Sequence, residues 1–218
     1  MADLGPGRRA VARWGALALL VRPAYVAAEL FVAAGTTGDY SLLGDSISRL
    51  GESGCSAAYC SPRHDLMNGA FVVSGALLAG GAALLGRALG PWVSGLLVVS
   101  GLSSVATGLA PLDEDVTLHV VAAAPLFVAQ PVALVALGVR LHADSPRLAR
   151  ALVATGVVTG AAGAAFVLVG EGPASGALER LALWPVLVAV AAAAGTVVRP
   201  GRPLRRAGTA GRRRSSRR

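Results

Sequence analysis

Few side chains in this sequence could do chemistry, and most of them crowd into one polar stretch. Residues 36–68 hold both cysteines, Cys55 and Cys60, together with Asp45, Ser48, His64 and Asn68. Two further candidates, Glu29 and His119, lie inside apolar runs that end near that stretch. A serine, a carboxylate and an imidazole are the parts of a nucleophilic or acid–base site, and histidines with carboxylates can also hold a metal. Each has a plainer reading. A lone histidine in an apolar run is usually a hydrogen-bonded structural residue. Asp45 either points inward over the helix ends or pairs with Arg49, its i, i+4 neighbour, and faces water.

The elements that must position these residues are membrane helices. The chain has 218 residues, 54% of them hydrophobic and 15% charged, with a mean hydropathy of +0.62. A soluble domain carries about a quarter charged residues. Six apolar runs, approximately 14–34, 66–85, 92–110, 116–139, 151–170 and 181–198, each approach the ~20 residues that cross a bilayer as a helix. The first is too long for a signal-peptide core and contains Arg22 and Glu29, so it reads as a retained span. The expectation is an all-α, polytopic bundle of six spans over residues 14–198, with a basic cytoplasmic segment at 1–13. An outer cap loop at 35–65 and a disordered, arginine-rich cytoplasmic tail at 199–218 complete it.

Orientation follows from the arginines, which supply all 20 basic residues. With both termini inside, sixteen arginines fall on the inner side, three (Arg49, Arg63 and Arg180) on the outer side, and Arg22 within a span. Nine acids fall outside and two inside, with Glu29 in the first span. The net charge of +8 is therefore a topology signal and does not imply a nucleic-acid partner. The tail arginines hold the C-terminus inside and could also meet anionic lipid headgroups. The expected location is the plasma membrane, multi-pass, with the bilayer as partner and no cofactor.

Local patterns sharpen the picture. Leu43, Ile47 and Leu50 share one face if residues 41–50 form a short amphipathic helix capping the bundle. Cys55 and Cys60, with four residues between them in a loop assigned to the outside, favour a disulfide over a metal pair. Ser61, Pro62 and Asp65 read as a helix start, which leaves Asn68, an amide inside lipid, in need of a partner. The acids at 113–115 either bind a cation or form a solvated turn. Pro125 and Pro131 should kink the fourth span and free carbonyls. Gly156 with Gly160, and Ser100, Ser104 and Gly108, read as helix contact faces. Trp14, Trp92 and Trp184 fall at helix ends as interfacial anchors. Arg22 and Glu29 share a helix face about 10 Å apart along the axis, so each needs a partner on another helix or must snorkel.

Several of these residues form an ordered pattern. It runs Tyr40-Ser41-x-x-x-Asp45-Ser46-Ile47-Ser48-x-Leu50-Gly51, then Ser61-Pro62-x-x-x-x-Met67-Asn68-x-x-Phe71, then Gly108-Leu109-x-Pro111 followed by His119. It resembles the bacterial and archaeal domain-of-unknown-function family 998, six-helix membrane proteins, over nearly the whole chain except the tail. That resemblance implies the architecture and highlights Asp45, Ser48, Asn68 and His119 without giving them roles. A looser likeness is to membrane hydrolases that include alkaline ceramidases, which hold zinc with Ser, Asp and several His. Here Asp45, Ser48, His64 and His119 would be the counterparts, but the late His-x-x-x-His pair is missing.

Two functions follow as expectations. The preferred one is a protein that binds a lipid, a small amphiphile or a partner in an outer polar pocket made by Asp45, Asn68, His119 and Glu29. The alternative is a membrane-embedded lipid hydrolase, with or without a metal, drawing on Asp45, Ser48, His64 and His119.

Overall fold

The computed structural model describes residues 6–198. The expected tail at 199–218 and the first five residues of the basic N-terminal segment lie outside the described residues. Helices α1 (Pro6–Leu20) and α2 (Ala24–Ala33) form the first span, followed by α3 (His64–Leu84). A short α4 (Gly86–Leu89), then α5 (Pro91–Gly108), α6 (Val116–Leu141), α7 (Pro146–Val169) and α8 (Ser175–Val198) complete the order. Among the described residues, six segments are long and apolar enough to span a membrane. The protein is an α-helical, multi-pass membrane protein.

Sequence neighbours are spatial neighbours. Helix α1 packs on α3, α3 on α5, α5 on α6, α6 on α7 and α7 on α8, and α8 returns to α1. The result is a closed up-and-down ring. Small residues set the tightest contact: a Cβ on Gly75 would sit 2.5 Å from the Gly101 carbonyl, and one on Gly101 would sit 2.6 Å from the Gly75 carbonyl. Helices α3 and α5 therefore cross backbone to backbone. The glycines of α7 face α6, with a Gly156 Cβ position 2.8 Å from the Pro131 carbonyl.

Prolines shape two spans differently. The first span breaks at residues 21–23, where Pro23 cannot donate to the helical ladder. Arg22 sits in that break, buried, and its Nε donates to the Ser74 carbonyl of α3 at 3.1 Å. In α6 the helix continues through Pro125, because Ser103 of α5 enters its ladder. The Ser103 hydroxyl donates to the Ala122 carbonyl at 2.5 Å and accepts from the Leu126 N–H at 3.2 Å. The hydroxyl thus bridges the Ala122 carbonyl and the Leu126 N–H, the ladder pair next to the Val121 bond that Pro125 removes.

Between α2 and α3 the chain forms a folded cap across one end of the ring, here called the loop end. A two-residue ladder pairs β1 (Thr37–Gly38) with β2 (Tyr59–Cys60), and a 3₁₀ turn spans Ser48–Gly51. Gly38 has φ +83°, and any Cβ there would meet the Ala58 carbonyl at 2.1 Å. The expected amphipathic helix at 41–50 is not formed. Ser41 and Asp45 cap a single turn, closed by the Asp45 N–H on the Ser41 carbonyl. But α8 takes the groups the next turn would pair: the Ile47 N–H donates to Glu179, and the Leu43 and Gly44 carbonyls accept from the Ala177 N–H and the Ser175 hydroxyl. Ile47 and Leu50 still enter the core with Tyr25, Val32, Met67, Phe71 and Leu187, each insertion contributing ~1.5–3 kcal/mol. Leu43 instead remains 67% exposed.

Candidate active site at the loop end

The cap is held by side chains that reach its backbone from every neighbouring element. From α8, Arg180 donates through Nη1 to the carbonyls of Leu42 and Asp45 at 2.5 and 2.9 Å, and through Nη2 to the Tyr40 hydroxyl at 2.6 Å. Its Nε donates to Glu29 Oε1 at 2.9 Å, and Trp184 Nε1 donates to Glu29 Oε2 at 2.8 Å. Glu29, fully buried, thus finds its partners on α8. Burial raises the Tyr40 phenol well above its ordinary range, and the adjacent Arg180 offsets only part of that. Tyr40 therefore stays protonated and donates to the Ser46 carbonyl at 3.2 Å.

Three consecutive carbonyls of the 3₁₀ turn are capped in the same way. Arg49 O accepts from the Tyr59 hydroxyl at 2.7 Å, Leu50 O from Ser61 at 2.7 Å and Gly51 O from Asn68 Nδ2 at 2.8 Å. Asn68 thereby finds the partner its position in lipid demands. Ser61 serves the cap; helix α3 begins three residues later, at His64, with no side-chain cap bond. Burial pushes the Tyr59 phenol up to about 12, so it too remains a donor.

This platform carries Ser48. Its hydroxyl lies 2.9 Å from His119 Nε2 and 3.5 Å from Glu179 Oε1, and Glu179 Oε2 accepts from the Ile47 N–H at 2.5 Å. His119 Nδ1 lies 2.6 Å from the Ala110 carbonyl. A carbonyl only accepts, so Nδ1 carries the proton, and in the neutral ring Nε2 is left as the acceptor facing Ser48. Ser48 is half-buried and His119 is 5% exposed. The exposed apolar side chains Leu109 and Leu118 lie next in sequence to Ala110 and His119. A nucleophile, a base and a backbone orienting group therefore meet at this end of the ring.

The other expected site residues are drawn elsewhere. Asp45 is ion-paired with Arg49, whose guanidinium also covers the Tyr59 ring. His64 bonds the Ser61 carbonyl at 3.0 Å and lies 3.4 Å from the exposed Asp65 carboxylate. Asp45, Asn68 and Glu29 each fasten a part of the cap, and only His119 and Ser48 touch one another. Among the described residues no three His, Cys, Asp or Glu side chains gather as a metal-ligand set. Asp45, Ser48, His64 and His119, the counterparts that the likeness to ceramidases names, are not gathered into one such set. The acidic run is divided too: Asp113 accepts from Ser53 and Gly54 of the cap, and Asp115 caps α6 through the Leu118 N–H at 2.9 Å. Cys55 and Cys60 lie in bonding contact, their Cα atoms 4.4 Å apart.

Glu179, Arg180 and Trp184 were the residues missed. The last apolar run starts at 181 in the sequence, whereas α8 starts at Ser175 and buries both charged residues in its second turn. Trp184, expected at the lipid interface, turns inward to Glu29. The adjacent Glu179-Arg180 pair abutting an apolar run was the available signal.

No curated protein and no solved structure matches the chain. A family model described as "Protein of unknown function (DUF998)" matches residues 16–196.

Proposed function

Because the chain belongs to the DUF998 family, whose description assigns no activity, we propose from geometry that it is a membrane-embedded hydrolase or acyl-transferase acting on an amphiphile at the loop end. The observation that carries this reading is the 2.9 Å contact between Ser48 Oγ and a His119 whose tautomer the Ala110 carbonyl sets. Ser48 Oγ attacks the carbonyl carbon of an ester and passes its proton to His119 Nε2. His119 then protonates the departing alkoxide, leaving an acyl group on Ser48. Water, or an acceptor alcohol, then attacks the acyl carbonyl while His119 Nε2 takes its proton. His119 returns that proton to Ser48 Oγ as the acyl–Oγ bond breaks, releasing the acid or new ester and restoring the serine. Leu109 and Leu118, exposed and next in sequence to Ala110 and His119, offer apolar surface for an acyl chain. The arginine asymmetry supports a loop end that faces the outside of the plasma membrane.

A reactive fluorophosphonate probe tests the reading directly. The wild type should be labelled on Ser48, Ser48→Ala should be inert, and His119→Ala should label at least ~100-fold more slowly, the low end of general-base catalysis. A folded wild type that the probe does not label at Ser48 would sink the proposal.

A second reading has its own observation. The polar groups around Ser48 are occupied in holding the cap, so the cluster also suits a rigid platform that binds a lipid, an amphiphile or a partner without chemistry. In that case Ser48→Ala leaves ligand retention in native mass spectrometry unchanged, and no covalent adduct forms.

A further inference from the structure

At the end of the ring opposite the cap, α3 gives way to α4 and α5 begins. There a shallow, open cleft of about 620 Å³ lies between α4, the start of α5 and the end of α6. Arg87 of α4 and Arg140 of α6 both line it, together with Gly86, Gly90 and Ser94. Both arginines are exposed, and neither makes an ion pair or hydrogen bond among the described residues. Asp144 is the only described acid at this end, and it pairs with neither.

Gly90 holds φ +86°, a conformation that favours glycine, and the Arg140 guanidinium lies against it, 3.0 Å from where a Cβ would stand. The depth is set by α5, whose 18 residues span ~27 Å, close to the hydrocarbon thickness. Its first turn thus meets the headgroup layer, where the 84% exposed Trp92 is an interfacial anchor. Ala83 and Gly95 extend the cleft about a turn toward the acyl region, and nothing lies within 4 Å of a Gly95 Cβ.

We propose that this cleft binds the phosphate of an anionic phospholipid, held between the Arg87 and Arg140 guanidiniums, with an acyl chain running over Ala83 and Gly95. Guanidinium groups match phosphate oxygens in a two-point geometry. The first amides of α5 add a favourable dipole. A free phosphate shares the headgroup chemistry, but the apolar floor and the interfacial depth favour the lipid.

The test is native mass spectrometry of the full-length protein in mild detergent, titrated separately with phosphatidylglycerol, phosphatidylcholine and inorganic phosphate. The wild type should prefer phosphatidylglycerol. Arg87→Gln and Arg140→Gln should each weaken that binding about fivefold. Arg147→Gln, which removes the same charge at the same end but outside the cleft, should leave it unchanged. An equal loss in Arg147→Gln would mean a diffuse field and overturn the site. Equal binding of phosphatidylcholine would overturn it as well. Inorganic phosphate binding as tightly as the lipid would overturn the lipid assignment.

Discussion

Arg180 and Glu29 are 151 residues apart in sequence and 2.9 Å apart in the fold, and both side chains are buried. This pair joins the last span to the first and, through the remaining Arg180 donors, clamps the cap to both. Ser48 lies three residues beyond Asp45, the last carbonyl that Arg180 holds.

Arg180→Ala should therefore destabilise the protein by about 3–5 kcal/mol, because it strands a buried carboxylate and opens the Leu42 and Asp45 carbonyls. Adding Glu29→Ala should recover part of that loss by removing the stranded charge. Denaturant titration in detergent measures both. A single Arg180→Ala variant as stable as wild type would show that the pair does not hold the cap.

The Asp113 clamp should make the cap sensitive to acid. Slight burial alone would raise its carboxyl. The N–H groups of Gly54 and Ser53 and the Ser53 hydroxyl outweigh that and hold it below its ordinary value. A depressed carboxylate contributes stability above the unfolded value of about 4, and the contribution is lost as pH falls through the folded value. Hydrogen-exchange protection of the Ser53 and Gly54 amides should be full at about pH 6 and reduced at about pH 3. In Asp113→Ala it should be low and independent of pH. Equal protection at both pH values in the wild type would refute the clamp.

The two cysteines can report the redox state and the orientation together. On intact cells, a membrane-impermeant maleimide should label neither Cys55 nor Cys60 until a reductant is added, and then both. Labelling without reductant would mean free thiols. Labelling only after lysis would place the loop end inside.

Much of this was legible before any fold existed. The six spans follow from the length and composition of the apolar runs, and the arginine asymmetry needs only the order of spans and loops. Glu29 and His119 stood out because a polar group in lipid must have a partner. Glu179 and Arg180 did not, because they sit at a run's edge and become buried only when the cap folds over them. Nor could Asn68, Ser61 and Tyr59 be matched to three successive carbonyls, since backbone acceptors carry no residue-type signal. The expected helix at 41–50 failed for a tertiary reason: α8 takes the Ile47 amide through Glu179 and the Leu43 and Gly44 carbonyls through Ala177 and Ser175.

The sequence by itself determined that this is a six-span membrane protein, because crossing a bilayer is a requirement on each segment separately. Only the tertiary structure decided that His119 meets Ser48 across 71 residues and that Glu29 meets Arg180 across 151. Such pairings depend on how the ring closes and how the cap settles on it, and those geometries belong to no single stretch of chain.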